Sequence, residues 1–168
     1  MRRLVALVGA VVFLDTMFFA ALAPLLPKYA DNLDLSKAEV GLLAGAYPAG
    51  VLLAGIPSGV LASRIGVKRT LLAGLFLLAA TTVLFGLADR VWLLDVARLI
   101  QGTGSACAWT AGFTWLVGAA PAERRGEVIG TALGVAIAGA LFGPVLGAIA
   151  AVTGTAPAFG AVGALAVS

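Results

Sequence analysis

Long runs without a single charge constrain this chain more than any other feature. Residues 40–63, 70–88, 99–122 and 128–168 contain no Asp, Glu, Lys or Arg. A helix needs about 20 predominantly apolar residues to cross roughly 30 Å of hydrocarbon, which is the scale of these runs. The last run is too long for one helix and divides at the turn-like cluster Thr153-Gly154-Thr155-Ala156-Pro157. Ahead of all four lies 4–26, apolar except for Asp15. The pattern predicts helical segments at about 4–26, 38–62, 70–88, 92–118, 127–151 and 156–168. At about 1.5 Å per residue the sixth reaches roughly 20 Å, so the chain is expected to be one half of something longer. A secretory signal is a poor reading of the first segment. Asp15 interrupts it, and Pro24 directly follows the small-residue site Ala21-Leu22-Ala23.

Composition removes most other classes. The chain is 61% apolar and 11% charged, against roughly 45–50% and about 25% in soluble domains. Histidine is absent and Cys107 is the one cysteine. Imidazole metal sites, Ser-His or Cys-His catalysis and an internal disulfide are therefore excluded. Gly102-Thr103-Gly104 lacks the third glycine of a dinucleotide fingerprint, and Ser105 beside Cys107 has no general base nearby. No enzyme, cofactor or metal site is expected. With the N-terminus inside, Arg2, Arg3, Arg64, Lys68, Arg69, Arg124 and Arg125 fall on the cytoplasmic side, and only Lys28, Lys37 and Arg90 outside. That bias fits the positive-inside rule. The net charge of +3 thus reflects membrane topology, with no nucleic-acid partner to invoke.

Two charges lie within the spans. Asp15 is about 16 Å beyond Leu4 along the helix, near the bilayer midplane. A charge there costs at least ~2.5–3.5 kcal/mol, which points to proton or substrate handling, or to a structural ion pair. Arg98, roughly 9 Å deep, can partner Asp15 through charge-assisted hydrogen bonds. It can equally partner Asp95, three residues back on its own helix face. Gln101 adds a polar group to that face. Glycine is also abundant, 22 of 168 residues, against an average near 7%. Gly126, Gly130 and Gly134, then Gly139, Gly143 and Gly147, recur at spacings that let helix backbones approach closely. Pro144 removes a backbone donor and marks a kink.

Four motifs together resemble the major facilitator superfamily. Gly59-Val60-Leu61-Ala62-Ser63-Arg64-Ile65-Gly66-Val67-Lys68-Arg69 is similar to its signature loop between the second and third helices. Arg98-Leu99-Ile100-Gln101-Gly102-Thr103-Gly104 is similar to its R-x-x-Q-G-x-G element. Gly139-Ala140-Leu141-Phe142-Gly143-Pro144-Val145-Leu146-Gly147 looks like the G-x3-G-P-x2-G motif of its antiporters. Phe13-Leu14-Asp15-Thr16, followed by Pro24-Leu25-Leu26-Pro27, resembles the first helix of proton-coupled drug exporters such as tetracycline efflux proteins.

The resemblance implies an all-α integral membrane fold: the N-terminal six-helix bundle of a twelve- or fourteen-helix transporter, 1–168, with its last helix truncated. Such a bundle consists of two inverted three-helix repeats and meets a second six-helix bundle at the transport path. Helices one and four would line that path with Asp15, Arg98 and Gln101. Phe18, Phe19, Trp109 and Phe113 would form an apolar wall for substrate, or else contact lipid or core. Gly59, Arg64, Gly66, Lys68 and Arg69 would form the cytoplasmic gating loop. Ser63 stands where the family has an acid, so Arg64 is expected to use Glu123 or Glu127 instead. The implied activity is proton-coupled efflux of small hydrophobic compounds by alternating access. The alternatives are a symporter or facilitator for uptake, and a non-transporting six-helix membrane protein.

Overall fold

The computed structural model describes residues 1–88 and 90–153, and among these every regular element is helical. The first helix, α1 (Arg2–Ala21), ends where Pro24 and Pro27 deny the chain two backbone donors. A 3₁₀ turn, Ala23–Leu25, and a short helix, α2 (Leu26–Asn32), follow. The expected segment 4–26 is thus a helix that stops near residue 21 and resumes as α2 after one 3₁₀ turn. Lys28, expected in a loop, lies in α2 and donates from Nζ to the Ala151 carbonyl at 2.7 Å.

A capping box starts the next helix, α3 (Lys37–Ile65). The Ser36 hydroxyl accepts from the Glu39 amide at 3.3 Å, and the Glu39 carboxylate accepts from the Ser36 amide at 2.8 Å. The helix runs through Pro48 and Pro57 and stops at Gly66, whose φ of +89° suits glycine. That single residue also begins α4 (Val67–Leu87), so the signature loop is a one-residue corner. The long α5 (Val91–Ala119) and, after a 3₁₀ turn, α6 (Arg125–Thr153) complete the described fold. The sixth expected segment, 156–168, lies outside the described residues.

Among the described residues, four stretches are long and apolar enough to cross a membrane: Arg2–Asn32, Lys37–Ile65, Val67–Phe85 and Ala122–Val152. The α5 helix, expected as a span at 92–118, has the length but not the apolar composition. Burial explains the difference. It touches α1, α3, α4 and α6, and it buries Arg98, Gln101 and Ser105 against them. A helix solvated by other helices does not need side chains that suit lipid.

Three clusters fix the antiparallel arrangement. Val8, Val12, Leu116, Ala120 and Val128 bring together the start of α1, the end of α5 and the start of α6. Leu25, Leu43, Phe85, Leu94 and Ala150 close the opposite end. Val11, Leu71, Ala108 and Ala111 join α1, α4 and α5 between them. The seven basic residues from Arg2 to Arg125 expected on one side therefore share one end of the bundle.

Backbone contact between glycines and carbonyls sets the helix spacing. Along α6, a Cβ on Gly139, Gly143 or Gly147 would run into the carbonyl of Phe13, Met17 or Ala21 on α1. Thr16 Oγ1 closes the same seam by donating to the Ala136 carbonyl at 2.8 Å. Along α5, a Cβ on Gly102 would strike the Tyr47 carbonyl of α3, and one on Gly104 would lie 2.9 Å from the Gly74 carbonyl of α4. The antiporter-type motif is thus an α1–α6 packing face, with Pro144 removing the donor for the Ala140 carbonyl.

Candidate functional site

The seams hold α1, α3 and α5 closely enough for their polar side chains to meet inside the bundle. Asp15 belongs to the buried face of α1 with Val8 and Val12. Its carboxylate accepts three hydrogen bonds from two other helices. Tyr47 Oη of α3 donates to Oδ1 at 2.8 Å. Ser105 Oγ and Trp109 Nε1, one turn apart on α5, donate to Oδ2 at 2.7 Å each. All three donors are neutral, so the negative charge is met by hydrogen bonds and not by direct ion pairing.

Arg98 is held differently. Its Nη1 donates to Gln101 Oε1 at 2.7 Å, and Gln101 Nε2 donates to Thr82 Oγ1 of α4 at 2.9 Å. The guanidinium carbon lies 4.8 Å from the centroid of the Tyr47 ring, 5.8 Å from Phe19 and 5.9 Å from Phe85, within cation–π range. Arg98 Nε has no hydrogen-bond partner. Neither expected ion pair forms. Among the described residues, the pair within 4.0 Å is Arg124–Glu127, so Arg98 touches neither Asp15 nor Asp95 as a salt bridge. Aromatic rings occupy the space the sequence assigned to a carboxylate, and Asp95 Oδ1 is itself buried without a partner.

Asp15 stands between two cavities. One, about 340 Å³, is lined by Asp15, Phe19, Tyr47, Val51, Ser105 and Trp109. The other, about 360 Å³, opens along α4 and is lined by Leu14, Asp15, Phe18, Leu72, Phe76 and Thr82. The four expected wall aromatics therefore separate. Phe19 and Trp109 face the first cavity, and Phe18 faces the second. Phe113 stacks behind Trp109, with centroids 5.3 Å apart and planes at 6°, and packs on the Val8 cluster.

The gating-loop residues sit at the basic end. Arg64, Lys68 and Arg69 are exposed. Ser63 turns its hydroxyl back to the Val60 carbonyl at 2.8 Å. Glu127 does not serve Arg64. It takes two hydrogen bonds of 2.9 Å from Arg124, its neighbour three residues back. Local helix geometry satisfies that carboxylate before a distant arginine can, and neither Glu127 nor Glu123 forms an ion pair with Arg64.

The profile of the Major Facilitator Superfamily matches residues 8–168. The chain belongs to that superfamily. It is 32% identical over 124 residues to the MFS-type transporter ppzB of Metarhizium rileyi, covering 71% of this chain and 26% of that protein. It is 32% identical over 108 residues to the inner membrane transport protein YajR of Escherichia coli K12, covering 64% and 24%. It is 30% identical over 110 residues to the multidrug resistance protein MdtL of Escherichia coli O157:H7, covering 66% and 28%. The chain thus spans about a quarter of the length of these relatives. Membership in that superfamily agrees with the four membrane-length apolar stretches among the described residues.

Sequence reasoning missed two of Asp15's three donors. Tyr47 carries no signal of its own in the sequence, and Ser105 reads as a nucleophile without a base. Arg98, Gln101, Ser105 and Trp109 recur at three- and four-residue spacings, which is one face of α5, and that periodicity was the available signal.

Proposed function

We propose that this chain forms one half of the path of a secondary active transporter that exports small hydrophobic compounds in exchange for protons. The observation that carries the reading is Asp15. It is a buried carboxyl in the middle of a membrane-length helix, hydrogen-bonded only by neutral donors, on the wall of a cavity lined by Phe19, Tyr47, Val51 and Trp109. An apolar cavity suits a hydrophobic compound, and an intramembrane carboxyl on its wall suits proton exchange.

Export as the direction draws on the Gly139–Gly147 motif and on the similarity to a multidrug resistance protein. A second six-helix bundle would complete the path, with substrate and proton alternating at Asp15 as the two bundles rock. The basic end, carrying Arg2, Arg64, Lys68 and Arg124, would face the cytoplasm of a plasma membrane. Gly59, Gly66 and the exposed bases beside them would gate that side.

Proton-driven export in vesicles tests the reading. Asp15→Asn keeps the side-chain shape and removes the titratable group, so it should abolish export driven by a pH gradient while the protein remains folded. Export that still follows the gradient in this variant would sink the proposal.

A further inference from the structure

Asp15 and Arg98 form no salt bridge, yet one side chain touches both. Tyr47 Oη donates to Asp15 Oδ1 at 2.8 Å, while the Tyr47 ring lies 4.8 Å from the Arg98 guanidinium carbon. Phe19 and Phe85 approach the same guanidinium at 5.8 and 5.9 Å, but their rings carry no polar atom that could reach a carboxylate. We infer that Tyr47 is a positioning residue that ties the seat of Arg98 to the charge state of Asp15. The inference rests on the reading of Asp15 as the proton-exchanging carboxyl.

The two contacts reinforce each other through one π system. A cation over the ring draws electron density from the phenol and makes its hydroxyl a better donor. A carboxylate accepting that hydrogen bond returns density to the ring and strengthens its hold on the cation. A hydrogen bond to an ionised acceptor is roughly twice as strong as a neutral one. When a proton binds Asp15, the Tyr47 bond weakens and the ring's attraction for Arg98 falls with it.

Arg98 is the side chain placed to respond. Its Nη1 donates to Gln101 and its Nε has no partner. A small void of about 10 Å³ lies against it, bordered by Phe18, Thr82 and Phe85. The backbone beside Tyr47 is arranged to pass a shift onward. Pro48, the next residue, lacks the N–H that would bond the Ala44 carbonyl. A Cβ on Gly50 would strike the carbonyl of Leu99, the residue after Arg98. The other packed helices offer no competing charge. In α3 the charges Lys37, Glu39 and Arg64 lie in the end turns, and in α4 and α6 Lys68, Arg69, Arg125 and Glu127 lie in the first turn. In α5 Asp95 stands three residues before Arg98. Tyr47 and Arg98 therefore face Asp15, and Asp95 is the other charge close to Arg98 in sequence.

Infrared difference spectra of the full-length protein in lipid vesicles, recorded across a pH step, test this. The wild type should show the carbonyl band of protonated Asp15 together with a shift in the guanidinium bands of Arg98. Asp15→Asn should lose both, and Arg98→Lys assigns the guanidinium bands. Tyr47→Phe, which keeps the ring, should retain the Asp15 band and lose the guanidinium shift. Site-specific 3-fluorotyrosine at position 47 keeps the native shape and alters only the phenol's acidity and ring density, so it should change the size of that shift. A full guanidinium shift in Tyr47→Phe, or an unchanged one with fluorotyrosine, overturns the coupling and leaves Asp15 as the proton site. Absence of the Asp15 band in the wild type overturns both.

Discussion

Asp15 and Arg98 are buried to nearly the same degree, 4% and 3% exposed, but the bundle holds them in opposite ways. The carboxylate is held on both oxygens: three donors from two other helices converge on them at 2.7–2.8 Å. The guanidinium has five N–H donors to place. One goes to a glutamine on its own helix, and three aromatic faces supply much of the rest of its surroundings. Hydrogen bonds to fixed donors are directional, whereas a cation slides over a ring face at little cost. One buried charge is held by directional bonds, and the other rests mainly against ring faces. In the proposed transport cycle, that division would let the bundles rock while Asp15 keeps its place.

Removing the directionally held charge should do the most damage. Asp15→Leu leaves Tyr47, Ser105 and Trp109 without their acceptor and strips Arg98 of the nearest negative charge. Ser105 can turn to a carbonyl one turn back, as Thr81 and Thr82 do here, but an indole N–H can only donate. Leaving a buried donor such as the Trp109 indole unsatisfied costs about 1–3 kcal/mol, and Tyr47 loses its acceptor as well. Unfolding of the purified protein in detergent should show a loss of that size. Arg98→Met should cost less, about 1 kcal/mol. It forfeits cation–π contacts worth roughly 2 kcal/mol in a desolvated site, but it also relieves a buried guanidinium whose Nε is unpartnered. Equal losses for the two variants would mean that Arg98 is anchored as firmly as Asp15, and the contrast would fail.

Both charges were legible in the sequence because each interrupts an apolar run. Their arrangement was not. Asp15 and Arg98 were paired on paper because opposite charges in hydrocarbon attract, but helix register decides what lies between them. Tyr47 reads as an ordinary apolar-face residue until Gly50 and Gly102 bring α3 and α5 into backbone contact, which puts its ring against the guanidinium. The all-helical architecture followed from the charge-free runs, and the close seams from the glycine spacing. The break at Ala21 is visible in Pro24 and Pro27, and the start of α3 in Ser36-x-x-Glu39. The polar character of α5 carried a further message: a long helix too polar for lipid is one that the rest of the bundle surrounds.

The smallest effect probes the soft side of the contrast. Thr82 accepts from Gln101 Nε2 at 2.9 Å and sends its own proton to the Leu78 carbonyl at 2.7 Å. Thr82→Val keeps the volume and removes that acceptor, and an interhelical hydrogen bond within a membrane is worth about 0.6 kcal/mol on average. The loss in unfolding free energy should be of that order. Its combination with Asp15→Leu decides more than its size. Thr82 is linked to Asp15 by Gln101, Arg98 and the face of Tyr47, where a cation on a ring face is a compliant joint, and by the apolar cavity that both residues line. The two changes should therefore add within roughly 0.5 kcal/mol, as independent sites do. A larger coupling in the double variant would show that the chain from Thr82 to Asp15 is stiff throughout, with Arg98 as fixed as the carboxylate it faces.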